Sequence, residues 1–115
     1  MYLTTNFNSK EFACKCGCGK DNINIALVNR LQVLRDIINE PITITSGCRC
    51  VKHNNSIPGS APNSNHLLGI ATDFTCESIE KLAKLLENWS GGFHYYFKRK
   101  FIHIDIAHRS RWTGE

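Results

Sequence analysis

The chain has 115 residues, 42% of them hydrophobic and 21% charged, a length that suits one compact core and reads as a single domain over 1–115. No stretch approaches the roughly 20 consecutive apolar residues that span a bilayer as a helix, so membrane insertion is not expected. The formal charge of +4 comes from 14 Lys and Arg against 10 Asp and Glu. These basic residues form no run of the kind nucleic-acid-binding arms carry, so no nucleic acid is expected as a partner, and a monomer is expected.

Met1 to Asn8 is polar and mixed, without the basic start and apolar stretch of a secretory signal. Asn8-Ser9-Lys10-Glu11-Phe12 predicts a capped helical turn, with a side-chain acceptor followed by Glu at the spacing of a capping box. Cys14, Cys16 and Cys18 come next, alternating with Lys15 and Gly17. Cys48 and Cys50 flank Arg49, and both groups have one-residue gaps where zinc ribbons usually have two. They read as reduced thiols or a disulfide between the groups, with a second, structural metal site as the alternative. Cys76 stands alone and reads as a small buried apolar residue.

Asn24 to Ile38 is the clearest helix, with Leu27, Leu31, Val33, Leu34 and Ile38 near helical spacing and Arg30, Arg35 and Asp36 on the other side. It is expected to cover a sheet. Pro41 ends it, and Ile42 to Ser46 alternates β-branched residues as a strand does. Gly47 to Asn65 is rich in Asn, Ser, Pro and Gly and reads as a long surface loop, a length usually kept for function. Ile70 to Phe74 predicts a second strand. Ser78 to Trp89 predicts a helix with Ile79, Leu82, Leu85 and Leu86 on one face, stopped by Gly91-Gly92. Phe93 to Phe97 and Phe101 to Ile106 then form antiparallel strands joined by the basic turn Lys98-Arg99-Lys100. The order of elements implies a small α+β domain, an antiparallel sheet flanked by helices.

A hydrolytic zinc site needs three nitrogen or oxygen ligands and one open position. Asp73 lies in a short apolar strand, where a carboxylate is costly to bury without a partner. His103 sits between Ile102 and Ile104, so it shares a strand face with Phe101 and Asp105. If that face meets the mouth of the Asp73 strand, His66, Asp73 and His103 converge.

The segment Ser64-Asn65-His66-Leu67-Leu68-Gly69-Ile70-Ala71-Thr72-Asp73 resembles the S-x-H-x-x-G-x-A-x-D signature of the zinc D-alanyl-D-alanine carboxypeptidases and the related peptidoglycan-cutting endolysins. Phe12 to Gly19, Ile44 to Cys50, His53-Asn54 and Phe101 to Asp105 are similar, in the same order, to segments of one branch of that family. The resemblance implies the fold shared by these peptidases and Hedgehog signalling domains. It also implies one catalytic zinc ion on His66, Asp73 and His103, with a metal-activated water as nucleophile.

By the same resemblance Arg49 stands where family members hold a substrate carboxylate or carbonyl, which a guanidinium can bind bidentately. His53 and Asn54 are expected to line the cleft, with Tyr96 as a further substrate contact. The positions where relatives carry a general base are Lys100 and Phe101 here, so Asp105 becomes the first candidate for acid–base work. Holding His103 or Arg49 is its other reading, and His94, His53 and Tyr96 are weaker base candidates. Trp112 reads as a packing residue or a stacking surface.

The implied activity is zinc-dependent hydrolysis of the peptide part of bacterial peptidoglycan, trimming terminal D-alanine or cutting within the stem or crossbridge. A zinc-stabilised module that binds peptidoglycan without cutting it is the alternative. The expected setting is the cytoplasm of a phage-infected bacterium with release to the cell wall, or a virion.

Overall fold

The structure, a computed structural model, describes residues 1–112. It is an α+β domain with three helices and a five-stranded sheet. The predicted capped turn is a 3-10 turn, Ser9–Phe12, in which the Asn8 side chain accepts from Lys10 N and Glu11 accepts from Asn8 N at 2.7 Å. Helix α1 (Ile25–Ile38) starts where the Asn24 side chain accepts from Ala26 N and ends at Asn39 in the left-handed conformation.

Leu27, Val28, Leu31, Leu34 and Ile38 form the buried face of α1. Val33, assigned to that face by the sequence, is 57% exposed. At 100° per residue it lies 200° around the helix from Leu31, and Val28 takes the inward place. Strand β1 (Thr43–Ser46) follows, and the expected loop then contains a short helix, α2 (Val51–Ser56), capped by the Cys50 side chain.

A 3-10 turn, Asn65–Leu68, leads through Gly69 into β2 (Ala71–Thr75). Gly69 has φ 71°, and a Cβ there would run into the Asn22 carbonyl oxygen, so this position requires glycine. Helix α3 (Ile79–Leu85) ends four residues before the expected Trp89. The chain turns early because Leu86 is buried and Trp89 Nε1 donates to the Asp105 carbonyl at 2.8 Å, a contact a continuing helix would not make. Leu85 consequently faces solvent.

Strands β3 (Gly92–Tyr96) and β4 (Phe101–Asp105) form the predicted hairpin, and β5 (Ser110–Arg111) completes the sheet in the order β1-β2-β4-β3-β5. All pairings are antiparallel except β3 with β5, so the sheet is mixed at that edge. One face carries Phe74, Ile102 and Ile104 into a core shared with α1 and α3. That core leaves the other face free for polar groups. The register there puts Ser46, Asp73, His103 and His94 side by side in one row across four strands.

Candidate metal centre and cleft

Burial of Asp73 is the feature around which the site is built. It lies on a central strand with its side chain 10% exposed, and two histidines face it. His66 Nε2 is 3.3 Å and His103 Nδ1 is 2.9 Å from Asp73 Oδ1. The three side chains offer one ligand atom each, all within 4.8 Å of one another. Ligand atoms at ~2.0–2.1 Å from a tetrahedral zinc stand roughly 3.4 Å apart, which is the scale of these separations.

Each imidazole is held so that one nitrogen faces Asp73. His66 Nδ1 lies 2.7 Å from the Gly47 carbonyl, a partner that can only accept, so Nδ1 carries a proton and Nε2 is the nitrogen turned to Asp73. His103 uses the opposite arrangement. Its Nε2 is 3.0 Å from Asp105 Oδ2, leaving Nδ1 toward Asp73. Such partners on the outer nitrogens fix ring orientation and tautomer in metal-binding histidines. The two nitrogens and one carboxylate oxygen therefore fit a zinc ion with an open fourth position.

Asp105 is 3% exposed and its other oxygen, Oδ1, accepts from Gly92 N at 2.8 Å and Ala107 N at 3.2 Å. A Cβ on Gly92 would collide with this carboxylate, so the glycine lets the carboxylate lie against the β3 backbone. Of the two roles the sequence left open for Asp105, the geometry favours holding His103, because the carboxylate sits on the side of the ring away from Asp73. The nearby charges separate the protonation states. Burial alone would raise the Asp73 carboxyl, but hydrogen bonds from His103 and His66 outweigh it and hold the group well below the usual carboxylate range. Burial would likewise lower His103, yet Asp105 and Asp73 together push it up to about 9.

Arg49 closes one side of the site. Its Nη2 is 3.5 Å from Asp73 Oδ2, Nε donates to Ser46 Oγ at 3.2 Å and Nη1 to Asn54 Oδ1 at 3.1 Å. Burial lowers its pKa and Asp73 partly restores it, leaving a guanidinium that stays charged. The head group is thus oriented in advance and retains N–H groups for an incoming oxygen.

A cleft of about 470 Å³ opens over this arrangement, with Arg49, His66, Asp73, Tyr96, His103 and Trp112 among its lining residues. His53 and Asn54 do not line it, contrary to expectation. Asn54 is 1% exposed and turned inward on α2, where its side chain joins Arg49 to the Ala61 carbonyl. His53 lies one residue along the same helix, 100° away, with its N–H on Cys50 Sγ. Tyr96 does reach the cleft and accepts from Trp112 Nε1 at 3.0 Å, while Trp112 stacks on His94 and meets the His103 ring edge-on, each at 5.2 Å. The sequence did not single out Ser46 or the Gly47 carbonyl, although both belong to the segment Ile44 to Cys50 that carried part of the resemblance.

Comparison with known proteins finds one family and several curated relatives. The family described as Peptidase M15 matches residues 5–105. Curated relatives include the peptidoglycan L,D-endopeptidase MepK of Escherichia coli K12, its counterpart in Escherichia coli O157:H7 and that of Shigella flexneri. Each is 31% identical over 102 residues, covering 79% of this chain and 55% of the relative. The chain therefore spans about half the length of the curated relatives it matches.

Proposed function

The chain belongs to the peptidase M15 family, and from that premise we propose that it is a zinc-dependent endopeptidase acting on the peptide part of bacterial peptidoglycan. The observation that carries the proposal is the convergence of His66 Nε2, Asp73 Oδ1 and His103 Nδ1 in a cleft, beside a half-buried arginine. Endopeptidase action is preferred to removal of a terminal D-alanine because the relatives are named L,D-endopeptidases.

His66, Asp73 and His103 would hold the ion. Zinc, when bound, supplies Lewis acidity to polarise a peptide carbonyl and to make water acidic enough to attack near neutral pH. The remaining work falls to the chain. The Gly47 carbonyl and Asp105 accept from the outer nitrogens of His66 and His103, so that Nε2 and Nδ1 are aimed at the site and give up any proton they carry when the ion binds. Arg49, clamped by Ser46 and Asn54, binds a carboxylate or carbonyl oxygen of the stem peptide through its remaining N–H groups. Tyr96 and Trp112 form an aromatic wall against which the peptide lies.

Among the described residues lining the cleft the carboxylates are Asp73 and Asp105, and both are already engaged. That observation favours, as a second reading, a module that binds the wall without cutting it. Incubating the zinc-loaded protein with purified sacculi and identifying released muropeptides by mass spectrometry separates the two. New peptide ends within the stem or crossbridge, absent with His66→Ala, support the endopeptidase. Loss of terminal D-alanine alone would reassign it as a carboxypeptidase, and binding without any product would make it the module.

A further inference from the structure

Four thiols meet near Arg49, outside the residues that line the cleft, and nothing in the proposed reaction uses them. Cys14, Cys16, Cys18 and Cys50 place their Sγ atoms within 4.8 Å of one another. Cys14 lies 3.4 Å from Cys16 and 3.9 Å from Cys50, and Cys16 lies 3.6 Å from Cys50, sulfur to sulfur. A tetrahedral zinc with arms of ~2.3 Å spaces its sulfurs roughly 3.8 Å apart. A single disulfide would use two of the four and leave no reason for the others to converge.

The backbone around the cluster is shaped to bring the sulfurs together. In an extended chain, side chains two residues apart point the same way but stand nearly 7 Å apart, being two rises of ~3.3 Å. Here a turn from Cys14 to Gly17, closed by Gly17 N on the Cys14 carbonyl at 3.2 Å, curls the run, and Gly17 takes φ 85° to continue it. Cys14 N on the Lys20 carbonyl at 2.7 Å then ties the two ends of the loop together. Two backbone N–H groups, those of Cys50 and His53, lie 3.4 Å from the sulfurs of Cys14 and Cys50. Donors so placed stabilise thiolates, the form in which cysteine binds metal.

The choice among cysteines is also selective. Cys48, two residues from Cys50, is buried and not one of the four, its N–H on the Phe12 carbonyl.

We propose that Cys14, Cys16, Cys18 and Cys50 bind a second zinc ion, one that is structural. Four protein ligands close the coordination sphere and leave no position for water or substrate, the property that separates structural from catalytic zinc. On binding, the thiol protons pass to solvent and the cluster becomes anionic, with no change of oxidation state. The ion pins the loop of residues 14–18 to Cys50, which caps α2 and adjoins Arg49. It thereby holds in place the backbone from which Arg49 reaches Asp73.

The test is elemental analysis of the full chain purified under reducing conditions, together with the absorption spectrum of its cobalt-substituted form. The expected content is two metal equivalents for the wild type and one for His66→Ala. A Cys16→Ser/Cys18→Ser variant should also hold one. Cobalt at the cysteines should give thiolate-to-metal charge-transfer absorption, kept in His66→Ala and lost in the double serine variant. The wild-type spectrum is independent of how well the variants fold. A wild type with one equivalent and no thiolate band overturns the proposal, as does an intact mass showing disulfides among these cysteines. A wild type with one equivalent that shows the thiolate band, and whose metal content is unchanged in His66→Ala, would sink the catalytic reading and leave this one standing.

Discussion

Replacing Asp105 with Asn tests how the site sets the protonation of His103. The substitution is nearly isosteric and keeps an oxygen that can accept from Gly92 N and Ala107 N, now at 2.8 and 3.2 Å. The amide NH2 then occupies the place of Oδ2 and donates toward His103 Nε2, which at 3.0 Å must become an acceptor. The ring proton moves to Nδ1, the atom that faces Asp73, and a protonated nitrogen cannot ligate. The expected cost is therefore at least that of losing an ordinary outer partner, about 10–100-fold in zinc affinity, or ~1.4–2.7 kcal/mol. Competition with a chromophoric chelator reads it directly, with circular dichroism as the check on folding. Wild-type zinc affinity together with lost activity would refute the reasoning and return Asp105 to the role of proton acceptor.

Arg49→Lys keeps a positive charge but cannot reproduce the clamp of Ser46 and Asn54, so zinc content should stay constant while kcat/KM falls by roughly 100-fold. Equal activity would remove Arg49 from substrate positioning. Gly69→Ala combines positive φ with a collision against the Asn22 carbonyl, and should lower stability by more than ~1 kcal/mol in denaturant unfolding. An unchanged midpoint would contradict that account of the turn. In metal-stripped protein His103 is raised from about 6.5 to about 9. Its contribution to stability is then complete below pH 6.5 and is lost as pH rises through 9. The depressed Asp73 acts in the opposite sense, stabilising above its ordinary value and losing that effect as pH falls into acid. Thermal melts of chelated protein should therefore fall between pH 6.5 and 9, a trend that zinc removes, and a flat profile would contradict it.

Much of this site was legible in the sequence because its candidate ligands sit in short-range patterns. His66 and Asp73 share one ten-residue segment, and the alternation around His103 put it on the polar face of its strand. The contacts that tune those ligands were not legible, since they depend on register and on chain paths far apart in sequence. Asp105 engages His103 from within its own strand, yet its anchor at Gly92 comes from the neighbouring strand of the hairpin, through a contact only glycine permits. Asn54 reads as a loop residue until the short helix α2 turns it inward. Cys14 and Cys50 are 36 residues apart. Their one-residue gaps argue against a zinc knuckle unless the curl at Gly17 is known. Val33 and Leu85 show the reverse failure, apolar residues near helical spacing that end on the solvent side.

The central claim is that peptidoglycan hydrolysis depends on a zinc ion held by His66, Asp73 and His103. It is tested most directly by counting new amino groups released from sacculi before and after metal removal. The account predicts that chelated protein releases none, that zinc restores the wild type, and that zinc fails to restore folded His66→Ala. Release at the wild-type rate by chelated protein or by His66→Ala would contradict it.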